Sequence, residues 1–302
     1  MIRMNYKTLK RMLSLCFLIL FFIVQGCQKR TENATISILD TNEKTLYTKQ
    51  TAAVPISYTK ENHSNIIDKD KKQELTLLAV GDNLIHIQVI ESGRKEDGTY
   101  NFDHLYSILK TEIEAADLSI INQETILGGD QFPYTGYPAF NSPTEIGDAI
   151  VNAGFDVVLH ASNHTLDKGY LGVANTFEYW SQHPNITVLG INKSEEDQNT
   201  IPIIEKNGIK VAMLNYTYGL NGYSLPKDKP FLVNLLDKPK MKEVIKKARE
   251  QADFVVVFPH WGTEYKYEPD KNQLELAEFF AEEGVDLVIG THPHVLEPVE
   301  WI

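Results

Sequence analysis

Val157-Val158-Leu159-His160-Ala161-Ser162-Asn163-His164-Thr165-Leu166-Asp167-Lys168-Gly169 is a short apolar run that gives way at once to amide, imidazole and carboxylate groups. A bounded run rich in β-branched residues reads as a buried strand, so the polar cluster stands just beyond a strand's carboxyl end. The same pattern recurs outward from it. Leu75 to Val80 runs into Gly81-Asp82, Leu118 to Ile121 into Asn122-Gln123-Glu124, Phe254 to Phe258 into Pro259-His260-Trp261-Gly262-Thr263-Glu264, and Val285 to Ile289 into Gly290-Thr291-His292-Pro293-His294. Ile209 to Leu214 is a further run of the same kind.

Between the runs lie helical segments: Asp103 to Ala115, Pro143 to Ala153 with Ser142 as N-cap, Lys240 to Gln251, and Asn272 to Glu283 with Asp270 near its start. Gly154 and Gly284 end two of them, as the left-handed cap conformation favours. Strands alternating with helices predict an α/β layer structure, in which ligand sites gather beyond the carboxyl ends of the strands. Five strand ends delivering Asp, Glu, Asn and His therefore predict one shared site. Imidazole and carboxylate ligands suit Zn, Mn and Fe, and a carboxylate bridging two ions is the arrangement of two-metal hydrolases. Gly81 and Gly290 are expected where backbone turns sharply at crowded strand ends.

The amino-terminal part is different. Arg3, Lys7, Lys10 and Arg11 precede an apolar run from Met12 to Val24 and then Gln25-Gly26-Cys27, the order of a secretory signal ending in a lipidated cysteine. The 13-residue run is short for a permanent span of a ~30 Å hydrocarbon core. Residues 1–26 are thus expected to be a lipoprotein signal peptide. Residues 27–73, polar and without period, are expected to be the lipidated Cys27 and a flexible tether, and residues 74–302 one folded domain. The protein is then anchored by lipid on the extracellular face of the cell membrane. Only Cys16 and Cys27 exist, so after cleavage no intrachain disulfide is available. Cleavage also lowers Lys plus Arg from 29 to 25 against 41 acids, which disfavours nucleic acid as a partner.

The ordered set Gly81-Asp82, Asn122-x-Glu124, Asn163-His164-x-x-Asp167, His260-Trp261-Gly262-x-Glu264 and Gly290-x-His292-Pro293-His294 resembles the CapA family of poly-γ-glutamate capsule proteins, within the calcineurin-like metallophosphoesterase superfamily. The resemblance covers about Leu75 to Trp301 and implies a four-layer α-β-β-α sandwich of metallophosphatase type around two divalent ions. It implies Asp82 and His294 as ligands of one ion, with Asn163, His260 and His292 on the other and Glu124 as the bridge. His164 is implied as the group that protonates a leaving group or steadies the transition state. Asp167 and Glu264 are expected to orient neighbouring histidines, Glu264 being an alternative ligand, and His86 is a further candidate ligand or supporting group. Ser162 and Gln123 stand where the family usually has Asn and Leu, and neither is expected to touch a ligand. The family usually continues past a position equivalent to Ile302, which implies a domain truncated at its C-terminus with an open sheet edge.

Other features have plainer readings. His63, His104, His183 and His160 are expected at the surface or satisfied in the core rather than as ligands. Trp261 and Tyr265 suit either a pocket wall or packing under a loop. Tyr137-Pro138-Ala139-Phe140-Asn141-Ser142-Pro143 leads into a helix start that could hold an anion or be simply capped. Three functions follow: a surface metallohydrolase acting on a phosphoester or anionic polymer in capsule synthesis, export or retention; a metal-stabilised accessory of a membrane capsule synthase; and, by superfamily analogy alone, a secreted nucleotidase.

Overall fold

The structure is a computed structural model that describes residues 73–302. The expected signal peptide, Cys27, His63 and all of the tether but Gln73 lie outside the described residues. Among the described residues, no helix is long and apolar enough to cross a membrane.

Among the described residues, eight strands form two four-stranded sheets. The first is wholly parallel, in the order β1 (Leu77–Asp82), β2 (Leu118–Asn122), β3 (Val157–Leu159), β4 (Thr187–Leu189). The second runs β5 (Ile203–Lys206), β6 (Ile209–Thr217), β7 (Phe254–His260), β8 (Leu287–Val288), parallel except for the β5–β6 hairpin. The helices are α1 (Ile87–Gly93), α2 (Lys110–Ala115), α3 (Glu145–Ala153), α4 (Gly169–Ser181), α5 (Glu195–Asn199), α6 (Lys238–Gln251) and α7 (Lys271–Glu282).

Side chains alternate across each strand, and every buried face has a partner. Leu118, Ile120, Val157, Leu159 and Leu189 meet Val211, Met213, Val256 and Phe258 between the sheets. Ile121 and Val158 point the other way, onto Ile146 and Ile150 of α3 and Tyr179 and Trp180 of α4. Ala212, Leu214, Val255 and Val257 cover the remaining face with Met241, Ile245 and Ala248 of α6 and Phe280 of α7. The layers are therefore α-β-β-α, and strands buried on both faces read as continuous apolar runs for this reason. Burying each large side chain stabilises by ~1.5–3 kcal/mol.

Gly154 and Gly284 adopt φ of 95° and 87° after their helices. Asp270 closes a capping box with Gln273 at the start of α7. Several expectations need correction. Asp103 to Ala115 is not one helix but a 3-10 turn over Asp103–Leu105 followed by α2. The Ser107 hydroxyl donates back to the His104 carbonyl at 3.1 Å, a local bond that competes with helix continuation. Ser142 is not the cap of α3, which is Thr144; its hydroxyl is buried and paired with Thr125 Oγ1 at 2.7 Å. Gly81 is not crowded, since a Cβ there would meet nothing within 4 Å. Gly290 is: a Cβ would lie 2.4 Å from Trp261 Nε1.

Strands β4 and β5 and helices α1, α4 and α5 were not expected. The β5–β6 turn is Asn207-Gly208, both at positive φ, which is the local geometry of a tight hairpin. Helix α4 opens on Gly169 with no side-chain cap at Lys168.

Candidate metal centre

The carboxyl ends of β1, β2, β3, β7 and β8 bring Asp82, Glu124, Asn163, His260, His292 and His294 together. Asp82 accepts from Asn122 Nδ2 at 2.7 Å, His294 Nδ1 at 2.9 Å, and the His292 backbone N–H at 3.1 Å. Asn122 thus reaches the cluster from the last position of β2. Asn163 Oδ1 lies 2.9 Å from His260 Nε2, whose other ring nitrogen is held by Thr291 Oγ1 at 2.9 Å. That second contact turns Nε2 toward Glu124 Oε1, 3.6 Å away.

Glu124 is the unusual member. It is 1% exposed, and neither carboxylate oxygen has a hydrogen-bond partner. Burial, reinforced by the nearby Asp82, Glu264 and Asp167 carboxylates, holds its carboxyl well above the usual range. For Asp82 burial pulls upward too, but the bond and charge from His294 and the bond from Asn122 outweigh it and hold the carboxyl low. Burial pushes His260 down to about 3 and also lowers His292, so both imidazoles are kept neutral and available as ligands. His294 is raised, chiefly by its bond to Asp82.

Ligand atoms within 4.8 Å of one another form three groups: Asp82, Glu124 and His294; Glu124, His260 and His292; and Glu264, His292 and His294. Glu124 is common to the first two, and the third cuts across them by joining His292 to His294. The donor set fits a first-row divalent cation, and the unpartnered atoms of Glu124 and His292 Nδ1 are the groups such an ion would satisfy.

Backbone strain gathers in the same place. Five non-glycine residues have positive φ among the described residues: Asn207 in the hairpin turn, and Asn221, Tyr265, His292 and His294 around the cluster. His292 at 99° and His294 at 58° each cost on the order of 1–3 kcal/mol, a strain that packing must hold in place.

His164 lies beside the ligands, its Nδ1 2.7 Å from Asp167 Oδ2. Asp167 Oδ2 also accepts from the Phe140 backbone N–H at 2.7 Å, and the Phe140 ring packs edge-on between His164 and His86, at 4.6 and 5.1 Å. The 137–143 loop therefore braces the His164–Asp167 pair. His86 belongs to none of the three ligand groups. Exposed Glu264 stands beside His292 and His294. Ser162 touches a candidate ligand, contrary to expectation: its hydroxyl donates to the Glu124 backbone carbonyl at 2.6 Å and accepts from the His164 N–H at 3.1 Å. A short hydroxyl fits the sharp turn after β3, where it ties the Glu124 and His164 segments together.

His160 is a core residue, 2% exposed, its Nε2 accepting from Trp180 Nε1 at 2.7 Å. His104 and His183 sit away from the cluster, beside Ser92 and Tyr179 respectively. Trp261 is 7% exposed and packs on Phe280, whereas Tyr265 is exposed, its ring 5.7 Å from that of His294. Two residues at the site follow β6 and went unread in the sequence. The Tyr218 ring lies 4.9 Å from that of His292, and Asn221 Oδ1 accepts from Asn163 Nδ2 at 3.2 Å. Their signal was of the kind used elsewhere, a buried run ending in Tyr216-Thr217-Tyr218-Gly219-Leu220-Asn221-Gly222.

Among known proteins, the chain is 34% identical over 148 residues to the "PGA biosynthesis protein CapA" of Bacillus subtilis (strain 168), an alignment covering 48% of this chain and 38% of that protein. It is 29% identical over 236 residues to the "Capsule biosynthesis protein CapA" of Bacillus anthracis, covering 75% and 56%. The chain therefore spans between about two fifths and just over half the length of these relatives. A solved structure of the sulfate thiohydrolase SoxB from Thermus thermophilus aligns at 21% identity and a TM-score of 0.41, covering 66% of this chain and 35% of that one. The sequence pattern of the bacterial capsule synthesis protein PGA_cap family matches residues 76–302, taking in every strand end that supplies the cluster, and the chain belongs to that family.

Proposed function

We propose that residues 74–302 hold two divalent ions, Mn, Fe or Zn, and hydrolyse a phosphoester or related anionic bond in the synthesis, export or retention of poly-γ-glutamate or a related capsule. The observation that carries the metal reading is Glu124, fully buried, without a hydrogen-bond donor at either oxygen, and shared by two ligand groups. Asp82 and His294 would hold one ion, Asn163, His260 and His292 the other, with Glu124 between them. Bound there, the ions supply Lewis-acid charge that activates water and offsets negative charge developing on the substrate. The protein's own part is proton handling and positioning. Asp167 fixes His164 through Nδ1, which leaves Nε2 as the atom to protonate a leaving group. The Phe140 ring packs edge-on against His164 and helps hold the imidazole in place. The capsule role is supported by family membership and by the names of the two Bacillus relatives.

We further propose that Cys27 is lipidated and holds the domain on the extracellular face of the membrane, where it could work beside a membrane capsule synthase. Cys27→Ala should release the protein or leave it unprocessed, and an unmodified Cys27 in membrane-bound wild type would refute the anchor. One observation favours a second reading, a metal-stabilised accessory without turnover: the exposed Glu264 carboxylate beside His292 and His294 would repel an anionic substrate. Metal analysis of the purified protein, paired with turnover of phosphomonoesters, phosphodiesters and γ-glutamyl peptides, separates the two. Two bound ions with turnover support the hydrolase, ions without turnover on any class support the accessory, and a metal-free active protein would refute both.

A further inference from the structure

We infer that Asn221 is a positioning residue that fixes the side-chain amide of Asn163 so that its oxygen faces the metal centre, an inference that rests on the metal reading above. An Asn amide has two ends of nearly the same shape, and only the oxygen can ligate a cation. What chooses between them is the partner of the nitrogen. Asn163 Nδ2 donates to Asn221 Oδ1 at 3.2 Å, while Asn163 Oδ1 sits 2.9 Å from His260 Nε2, inside the ligand cluster. Reversing the amide would aim two hydrogens at His260 and withdraw the ligand atom. Asn221 is thus an acceptor that favours the ligating orientation, beside the Tyr218 hydroxyl that the Asn163 amide also approaches.

The same side chain bears on His164. Asn221 Nδ2 lies 3.3 Å from His164 Nδ1, and that ring nitrogen has the shorter partner Asp167 Oδ2 at 2.7 Å. A nitrogen that donates its proton to Asp167 cannot accept from Asn221, so this contact limits ring movement rather than bonding it. One amide therefore touches both the ligand Asn163 and the proposed proton donor. The backbone is consistent with a fixed role: Asn221 has φ of 49° and Gly222 82°, a pair of left-handed residues that aims the side chain inward from an exposed loop. Asn is one of the few residues that adopts this conformation at low cost.

Two variants separate the roles. Asn221→Gly keeps the backbone conformation and removes the side chain, whereas Asn221→Asp keeps the acceptor for Asn163 Nδ2. Mn2+ affinity, measured by competition with a chelator, should weaken by about 10-fold or more in Asn221→Gly and return to within about threefold of wild type in Asn221→Asp, the usual range for loss of a supporting partner. In an Asn163→Ala background, Asn221→Gly should weaken Mn2+ binding no further. In chelator-treated protein, the Asn163 side-chain amide protons should carry the NMR shift of a bonded amide in wild type and Asn221→Asp, and lose it in Asn221→Gly. Wild-type affinity in Asn221→Gly, or an equal loss with and without Asn163, would overturn the inference. A wild type that binds no Mn2+ would defeat the metal reading, whereas an unchanged Asn163 signal in Asn221→Gly would defeat this one independently of metal.

Discussion

Replacing Glu124 with Met should change stability with opposite sign in the presence and absence of metal. Without an ion, both buried carboxylate oxygens lack a donor, the nearest ring nitrogens being His260 Nε2 at 3.6 Å and His294 Nδ1 at 4.0 Å. An unsatisfied buried polar group costs ~1–3 kcal/mol, and Met is a flexible apolar chain of similar size that leaves none. In excess chelator Glu124→Met should therefore be more stable than wild type by ~1–3 kcal/mol, with Tm higher by about 2–4 °C for each kcal/mol in a domain of this size. With Mn2+ at about 100 times Kd, wild type gains ~2.7 kcal/mol per site, which the variant forgoes along with the shared ligand. The order of the two melting temperatures should then reverse. Thermal unfolding followed by circular dichroism, with chelator and then with Mn2+, reads both differences. A variant that melts several degrees below wild type in chelator, or that gains as much from Mn2+, would refute the view of Glu124 as a bridging ligand without a structural partner.

The His160 imidazole is pushed down to about 3 by burial, against about 6.5 in an unfolded chain, so its contribution to stability is present above pH 6.5 and is lost as pH falls toward 3. The full effect is on the order of 5 kcal/mol, and His160→Gln, which cannot titrate but can still accept from Trp180 Nε1, should flatten the decline; parallel acid-unfolding curves would count against this. His164→Ala should keep its metal content by elemental analysis while turnover of any ester found as substrate falls by ~10²–10⁴. Gly290→Ala should cost ~1–3 kcal/mol in denaturant unfolding, because the new Cβ would lie 2.4 Å from Nε1 of the buried Trp261; an unchanged midpoint would show that Trp261 can yield.

The sequence by itself determined which segments are buried strands and which polar residues follow them. Val157 to Leu159 is β3 as read, and β2, β6 and β7 start where expected, because a run apolar on both faces has few other ways to be buried. It also placed Asp82, Glu124, Asn163, His260, His292 and His294 at strand ends, since the change from apolar to polar residues is a local signal. What only the tertiary structure decided is non-local. The division into two sheets rests on contacts such as Ile120 and Val157 against Met213 and Val256, and no local pattern says which run pairs with which. Asp82 accepts from the backbone N–H of His292 across 210 residues. Helix α4 was illegible because a helix opening on uncapped Gly169 carries a weak local preference, and packing stabilises it. The left-handed backbone at His292 and His294 runs against local preference and is sustained by the contacts around it. Ser162 bonding Glu124 and Asn221 bonding Asn163 likewise follow from where separate loops meet.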